Sequence, residues 1–202
     1  SNGSFVWGKG IPGIYAYVKG IEVDNIGNPY ITGYFEDSIS FNSVTNNYHF
    51  SQGYRDVFFA KYNSSGTSEW SHTIGSTLFD KGLNLNFDNS NNLYVVGEFY
   101  GTINLSTGPI PDMHVSAGGT DAFVAKYLPN GSFVLGEHFG GTGNDSGMEV
   151  VIDNSSNIYF SGIFEGTMPV NGTSITLTSN GDDDVFLIKL DGTGTAIQAE
   201  SF

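Results

Sequence analysis

The sequence predicts an all-β protein built from three copies of one unit. Three segments share a run of turn residues followed by tyrosine and, three positions later, glycine: residues 24–33, 88–97 and 153–162, spaced 64 and 65 residues apart. A second marker, Asp-x-Phe followed by apolar residues and lysine, recurs in phase at 56–62, 121–127 and 184–190. Asn and Asp favour turns, whereas aromatic and β-branched residues favour strands. A repeat of 63–65 residues therefore indicates repeated β-units.

The composition agrees with this class and narrows the functions. Only 14% of the 202 residues are charged, and 28 glycines accompany many Asn, Ser and Thr residues, which favours numerous tight turns. Twenty-one acidic against seven basic residues give a net charge of −14, which repels nucleic acids and anionic membranes. The absence of cysteine excludes disulfides and thiolate chemistry. No apolar run approaches the roughly 18 residues of a membrane span, and the first residues do not form a signal peptide.

Each unit is expected to contain four strands joined by turns. Asn130-Gly131, between two apolar runs, is a typical hairpin signal, and Ser65-Gly66 and Thr193-Gly194 occupy the equivalent places. The predicted strands are residues 17–24, 29–35, 56–62 and 67–74 in the first unit, 82–88, 92–99, 121–127 and 132–139 in the second, and 147–153, 157–164, 184–190 and a strand from 195 in the third.

The first residues repeat the end of a unit. Asn2-Gly3 matches the turn at Ser65-Gly66, and Trp7 stands 63 residues before Trp70. The expected organisation is therefore residues 1–13 as the last strand and crossover of a preceding unit, followed by units at 14–74, 75–139 and 140–202.

Four short antiparallel strands per repeat are the pattern of a β-propeller blade, so the predicted fold is a propeller-like array of about three blades. The repeat is longer than the roughly 40–50 residues of common propellers. The surplus lies between the second and third strands, at residues 36–55, 100–120 and 165–183. Alternation in residues 173–178 predicts that part of this surplus extends the hairpin.

The set of motifs resembles the SBBP repeats of bacterial β-propellers. The resemblance rests on D-[AV]-F-[VFL]-[AI]-K-[YL], the Asn-Gly turn, the Gly-Gly-Thr-Gly-Asn-Asp run at 140–145 and D-N-S-x-N-[IL]-Y in the second and third units. It covers essentially the whole chain and implies a secreted or cell-surface protein. The first unit departs from it, with Gly-Lys-Gly-Ile-Pro-Gly at 8–13 in place of the glycine-rich loop.

Three blades are too few for a closed propeller, which usually has about 4–8. The expectation is a segment of a larger propeller, or a protomer whose sheet edges are completed by neighbouring chains, because unpaired strands are templates for pairing.

Candidate binding residues fall in the segments that do not repeat. The acidic run Asp182, Asp183 and Asp184 is the best candidate for a hard cation such as calcium, although turn chemistry with exposed charges is the favoured explanation. Aromatic side chains outside the repeat are candidates for ligand contact, because recognition usually lies in variable loops on a rigid scaffold. These aromatic residues are Tyr48, Phe50, Tyr54 and Tyr100.

The residues that repeat are expected to be structural. Lys61, Lys126 and Lys189 hold one register, and we expect each to pair with a carboxylate of its own unit and not to form a ring of free ammonium groups. The four histidines, His49, His72, His114 and His138, lack zinc-type spacing.

The sequence favours a non-catalytic function. There is no Gly-x-Ser-x-Gly motif, no repeated hydrolytic triad, and no phosphate loop at residues 140–143. The expected protein is an extracellular or cell-surface module for adhesion, scaffolding or fibre formation. A protein partner or self-assembly is favoured over a small molecule, a glycan remains open, and no cofactor is expected apart from calcium. The alternative is a fragment of a propeller hydrolase or lyase that acts on glycans.

Overall fold

The computed structural model describes residues 4–42 and 48–202 of the protein. Within these ranges the chain forms β-strands and no helix, and hence no helix that could cross a membrane. The strands are β1 (Gly13–Val23), β2 (Pro29–Ser40), β3 (Tyr48–Phe50), β4 (Asp56–Tyr62), β5 (Ser68–Ile74), β6 (Asp80–Phe87), β7 (Leu93–Asn104), β8 (Met113–Tyr127), β9 (Phe133–Phe139), β10 (Ser146–Ile152), β11 (Ile158–Pro169), β12 (Thr176–Leu190) and β13 (Ala196–Ser201).

The strands form three antiparallel sheets. Sheet 1 has the order β1-β2-β4-β5 with β3 added beside β2, sheet 2 has the order β6-β7-β8-β9, and sheet 3 has the order β10-β11-β12-β13. Every pair of neighbours is antiparallel. The predicted all-β class and the three four-stranded antiparallel units are confirmed, with β3 as an addition that the sequence did not predict.

The second strand of every unit and the third strand of sheets 2 and 3 are longer than expected, whereas β4 has the predicted bounds. In sheet 2, β7 continues to Asn104 and β8 already begins at Met113, so much of the segment that looked like a loop is a strand hairpin. The register shifts after Tyr100, where Gly101 has a φ of 83°. Glycine adopts this left-handed conformation without steric cost, and such a bulge bends the hairpin. The predicted hairpin extension at 173–178 is confirmed from Thr176 onward.

The sheets pack face to face through their first strands. Strand β6 lies against β1, β2 and β4 of sheet 1, and β10 lies against β6, β7 and β8 of sheet 2. Each interface is a core of aromatic and aliphatic side chains, whose burial stabilises the protein by roughly 1.5–3 kcal/mol for each large residue. The main contributors are Tyr30, Val57, Phe59, Leu85, Phe99, Phe123 and Tyr127 between sheets 1 and 2, and Tyr94, Val124, Val150, Phe160, Phe164, Phe186 and Ile188 between sheets 2 and 3.

Strand β4 shows why the second sequence marker is a continuous apolar run. Val57 and Phe59 face sheet 2, whereas Phe58 and Ala60 pack in a separate cluster on the opposite side of sheet 1. Successive side chains of a strand point to opposite faces. A strand that is covered on both faces therefore reads as apolar at almost every position.

The first sequence marker is a turn closed by its own aspartate. In sheet 2, Oδ1 of Asp88 accepts hydrogen bonds from the backbone N–H groups of Ser90 and Asn92, both at 2.9 Å, and Oδ2 accepts one from Nδ2 of Asn92 at 2.8 Å. Burial opposes ionisation of Asp88, but these bonds and the charge of Lys126 hold its pKa below the usual value. The equivalent turns of the other units repeat the pattern.

Asparagine side chains join neighbouring turns. Nδ2 of Asn91 donates to Oδ1 of Asn25 at 2.7 Å, and Nδ2 of Asn89 donates to Oδ1 of Asn154 at 3.1 Å. These bonds link consecutive sheets at the same end, which gives the Asn-rich turn a role in holding the repeats in register.

Residues 4–12 contain no strand, yet they contact sheet 1 as β5 contacts sheet 2. Nε1 of Trp7 donates to the carbonyl of Ser64 at 3.0 Å, and Nε1 of Trp70 donates to the carbonyl of Pro129 at 3.1 Å. The predicted turn at Asn2-Gly3 lies outside the described residues. The segment thus covers the outer part of sheet 1 with the same tryptophan contact that recurs between sheets 1 and 2.

Candidate functional site

A cleft of about 450 Å³ lies where the three sheets meet at one end. Its lining comes from the starts of β6 and β10 and from the middle of β7 and β11. It also includes the residue before β4 and residues within β8 and β12. A volume of this order is within the range of roughly 300–1,000 Å³ found for small-ligand sites. The lining residues are Arg55, Phe79, Lys81, Glu98, Tyr100, Thr120, Asn144, Ser146, Ile163, Glu165 and Asp183.

Aromatic rings form one wall of the cleft. Phe79 and Tyr100 line it and are each about two-fifths exposed. Tyr54 stacks on Phe79, with ring centroids 5.0 Å apart and planes 13° from parallel. The backbone fixes this wall, because the N–H groups of Tyr54 and Arg55 both donate to the carbonyl of Leu78 at 3.1 Å. Exposed rings held in this way offer flat apolar faces to a ligand.

The two cations of the cleft are already paired. Nε of Arg55 lies 2.8 Å from Oε1 of Glu36, and Nζ of Lys81 lies 2.6 Å from Oε1 of Glu98. The hydrogen bond to Glu36 raises the pKa of Arg55. Because both cations have a carboxylate partner, the charge that remains in the cleft is negative and comes from Glu165 and Asp183.

Glu165 and Ser146 are the other polar groups on the sheet 3 side. Oε2 of Glu165 accepts two bonds from Asn144, one from its backbone N–H at 2.9 Å and one from Nδ2 at 3.2 Å. Oγ of Ser146 is buried and has no hydrogen-bond partner within the described part of the chain. A buried hydroxyl without a partner costs about 1–3 kcal/mol. It is therefore a group that a ligand in the cleft could satisfy.

Two buried aspartates hold the cleft residues in place. Asp80 accepts the backbone N–H of Tyr100 through Oδ1 at 3.2 Å, and Asp145 accepts that of Glu165 through Oδ1 at 3.2 Å. Their other oxygens accept N–H groups from the turn four residues earlier. Each aspartate thereby ties the start of a first strand to the middle of the second strand.

These aspartates belong to two pairs, Asp56 with Asp80 and Asp121 with Asp145, that the sequence reasoning missed. Burial raises the pKa of Asp121 to about 7 and that of each of the other three to about 6. The neighbouring charge of the partner adds to the shift for Asp80 and Asp121. The signal was present, because Asp56 and Asp121 begin the second repeated marker, but that marker was interpreted only as a strand.

The structure brings together two of the four predicted aromatic residues. Tyr100 lines the cleft together with Phe79, and Tyr54 stacks on Phe79. Tyr48 and Phe50 lie on β3, where they are exposed and pair with Ser40 and Ser38 of β2, apart from the cleft lining. Ligand contact by any of these residues remains a prediction.

The predicted cation site occupies consecutive positions of β12. Side chains alternate between the faces of a strand, so Asp183 points away from Asp182 and Asp184. Oδ2 of Asp184 accepts the backbone N–H of Asn180 at 2.7 Å, and Asp183 lines the cleft. Across residues 4–42 and 48–202, no three acidic, histidine or cysteine side chains are arranged to hold a metal ion. Calcium binding here remains a prediction without a formed site.

The repeated lysines contact groups of their own sheet. Nζ of Lys126 lies 3.4 Å from Oδ2 of Asp88, and Nζ of Lys61 lies 3.0 Å from Oε2 of Glu69. In addition, each of the three ammonium groups lies over the tyrosine of the first marker, 5.0–5.4 Å from the ring centroid. This contact is a cation–π interaction. The lysine and tyrosine of the two markers therefore repeat together because they touch.

His114 and His138, which the sequence analysis did not connect, form a hydrogen-bonded series with Asp112. Nδ1 of His114 lies 2.9 Å from Nδ1 of His138, and Nε2 of His114 lies 2.8 Å from Oδ2 of Asp112. Burial and the nearby His114 lower the pKa of His138 to about 4. Asp112 also lines a second depression of about 510 Å³, which is formed mainly by the loop at 105–112 and the turn at 130–133.

No protein-family model matches the chain, and none of the curated proteins matches it either. The site must therefore be interpreted from its own chemistry: a polar cleft with an aromatic wall, paired charges and one unsatisfied hydroxyl.

Proposed function

We propose that this chain is a non-catalytic, β-propeller-like module of an extracellular or cell-surface protein, and that it functions in adhesion or scaffolding by assembling through its two terminal sheet faces. Support comes from three like sheets that stack face to face through their first strands. The SBBP-like motifs and the acidic surface agree with a secreted location.

The observation that carries the proposal is that the same sheet-to-sheet interface is buried at two places within the chain, while one of its two surfaces is exposed at each end of the stack. On the first strands, Leu85 and Val150 occupy equivalent positions and are buried between sheets. Ile21 holds the same position on β1 and is 64% exposed. Monomeric proteins seldom leave a contiguous apolar surface of this kind without a partner.

The opposite end shows the complementary half. Val57 and Phe59 of sheet 1 are completely buried against the next sheet. Val185 and Leu187 hold the equivalent positions in sheet 3. Val185 is 47% exposed and Leu187 is 38% exposed. In sheets 1 and 2 this face is covered by the first strand of the next sheet, whereas on sheet 3 it is open. At the other end, β1 is a first strand that packs against no preceding sheet.

A second copy can join these halves head to tail. In such a pair β13 of one copy would fall where residues 4–12 lie on sheet 1 of the next, so this segment must move aside. Heterologous contacts of this type build open chains or rings and not closed dimers. The proposed assembly is therefore a linear or ring-shaped array of sheets.

Variants with one blocked end test the assembly. We expect wild type to associate with increasing concentration, and Ile21→Asp and Leu187→Asp each to be monomeric alone, because a charge in an apolar interface is unfavourable. Mixed in equal amounts, the two variants should form a discrete dimer, since each supplies the face that the other keeps. Sedimentation velocity distinguishes these species.

Val134→Asp is the matched control, because Val134 is an exposed apolar residue of β9 in the middle sheet. This variant should associate like wild type. Deletion of residues 1–12 should lower the dissociation constant at least tenfold. If the mixture of blocked variants stays monomeric both with and without residues 1–12, the assembly proposal is wrong.

The two glutamates of the cleft bear on the alternative function, cleavage of glycans. The cleft contains two glutamates, and glycosidases use a pair of carboxyl groups, one of them protonated. Here Glu98 faces the ammonium group of Lys81, and Glu165 accepts two N–H bonds from Asn144. Each glutamate is thus held by a hydrogen-bond donor of the protein itself. This arrangement suits binding better than catalysis.

A further inference from the structure

We propose that the cleft between the three sheets binds a neutral oligosaccharide, with the exposed rings of Phe79 and Tyr100 against sugar faces and the side chains of Glu98, Glu165 and Ser146 bonded to sugar hydroxyls. The cleft lining includes none of the assembly residues Ile21, Val185 and Leu187, so this site can be tested independently of the assembly proposed above.

The aromatic wall selects for a ligand with a flat apolar face. Tyr54 stacks on one face of Phe79, and the guanidinium of Arg55 lies 5.7 Å from the centroid of the same ring, yet Phe79 remains 43% exposed. Tyr100 is fixed through its backbone by buried Asp80. The electron-rich faces of aromatic rings attract the polarised C–H groups of sugars, and rigid rings lose little conformational entropy on binding.

The polar groups select for hydroxyls over ionic groups. Both cations of the cleft already contact a carboxylate, at 2.6 Å for Lys81 and 2.8 Å for Arg55. A phosphate or sulfate would have to displace these partners against the net charge of −14. A hydroxyl both donates and accepts, so it can join the Lys81–Glu98 pair or Glu165 without separating charges.

The buried Ser146 is an independent indication of a ligand. Ser146 lines the cleft at the first position of β10, and its buried hydroxyl lacks a partner among the described residues. Buried polar atoms are almost always satisfied by protein or by bound molecules. A sugar hydroxyl that enters the cleft would satisfy it.

The experiment is a screen of the intact chain on an array of neutral oligosaccharides and their sulfated counterparts, followed by calorimetric titration of the best neutral binder. We expect micromolar to millimolar binding to neutral members. Tyr100→Ala and Glu165→Gln should each weaken it at least tenfold, because the first removes a ring face and the second weakens a charged acceptor.

Tyr15→Ala is the matched control, since Tyr15 is an exposed tyrosine of β1 outside the cleft lining; it should bind like wild type. Unchanged thermal unfolding of the variants shows that the loss is local. The proposal is overturned if no neutral oligosaccharide binds at millimolar concentration, if only sulfated members bind, or if Tyr100→Ala and Tyr15→Ala behave alike. Failure of this test leaves the association of blocked variants unaffected, and the reverse also holds.

Discussion

Gly97→Ala should lower the free energy of unfolding by about 3 kcal/mol or more, whereas Gly181→Ala should leave it within about 0.5 kcal/mol of wild type. Both glycines lie on long strands, β7 and β12. Neither has a left-handed backbone, so the comparison isolates the space around the missing side chain.

The reason is the close approach of β6 to β7. A methyl group on Gly97 would overlap the carbonyl oxygen of Lys81 and lie 2.9 Å from Cε1 of Phe123. Lys81 cannot retreat, because its strand carries a register shift after Gly82 and packs on sheet 1. A methyl group on Gly181 would meet no atom within 4 Å. The backbone and the core would therefore have to move at the first site only.

The same clash recurs at the equivalent glycines. At Gly33 the added methyl group would overlap the carbonyl oxygen of Tyr17, and at Gly162 that of Ser146. This contact explains why the first sequence marker ends in glycine in all three units. Equilibrium denaturation in urea measures the loss; if Gly97→Ala proves as stable as Gly181→Ala, the strands can separate more easily than the structure implies.

The strands were predictable because their causes are local. The Asx residues close each turn onto its own backbone, and the following Tyr and apolar residues alternate or run continuously according to how many faces are covered. Their positions therefore follow from the marker segments to within a few residues. The long hairpins were harder to predict, since the exposed strand at Met113 follows Gly108, Pro109 and Pro111, which are typical of a loop.

The cleft could not be predicted in the same way. Phe79, Tyr100 and Ser146 are 21 to 67 residues apart and come together only because the sheets stack with their ends aligned. Tyr54 and Tyr100 were identified as aromatic residues outside the repeat, but nothing local indicates that they share a wall with Phe79. His114 of β8 and His138 of β9 belong to one sheet, and they meet through the folding of that sheet and not through the stacking of sheets.

Asp121→Asn should make the protein more stable at pH 8, by roughly 2–4 kcal/mol, and equally stable at pH 4. Asp121 is buried beneath Gly140, with a pKa of about 7 against an ordinary value of 3.8. Between those values the folded protein binds a proton that the unfolded chain has lost. The contribution of Asp121 to stability is therefore favourable near pH 4 and declines as the pH rises to about 7.

Asparagine removes this titration and keeps the contact. Its Oδ1 can still accept the backbone N–H of Ala117, which Asp121 accepts at 3.2 Å. At pH 4 the wild-type carboxyl group is protonated and resembles the amide. At pH 8 the buried charge lies near Asp145 and is 3.9 Å from Nε2 of His138, whose low pKa leaves the ring neutral. The asparagine variant carries no buried charge and is therefore not destabilised in this way.

The difference between variant and wild type isolates Asp121 from the other titrating groups. Because the pKa of His138 is about 4 in the folded protein, its contribution to the stability of the protein decreases as the pH falls below 6.5. The contribution of the buried aspartates increases over the same pH range. Asp182→Asn, at an exposed position of β12, is the control for the substitution of an aspartate by asparagine. Urea denaturation from pH 4 to pH 8 provides the profiles. A variant less stable than wild type at pH 8 would mean that the charged Asp121 is needed, and the paired aspartates would then have to be considered as a site for a cation.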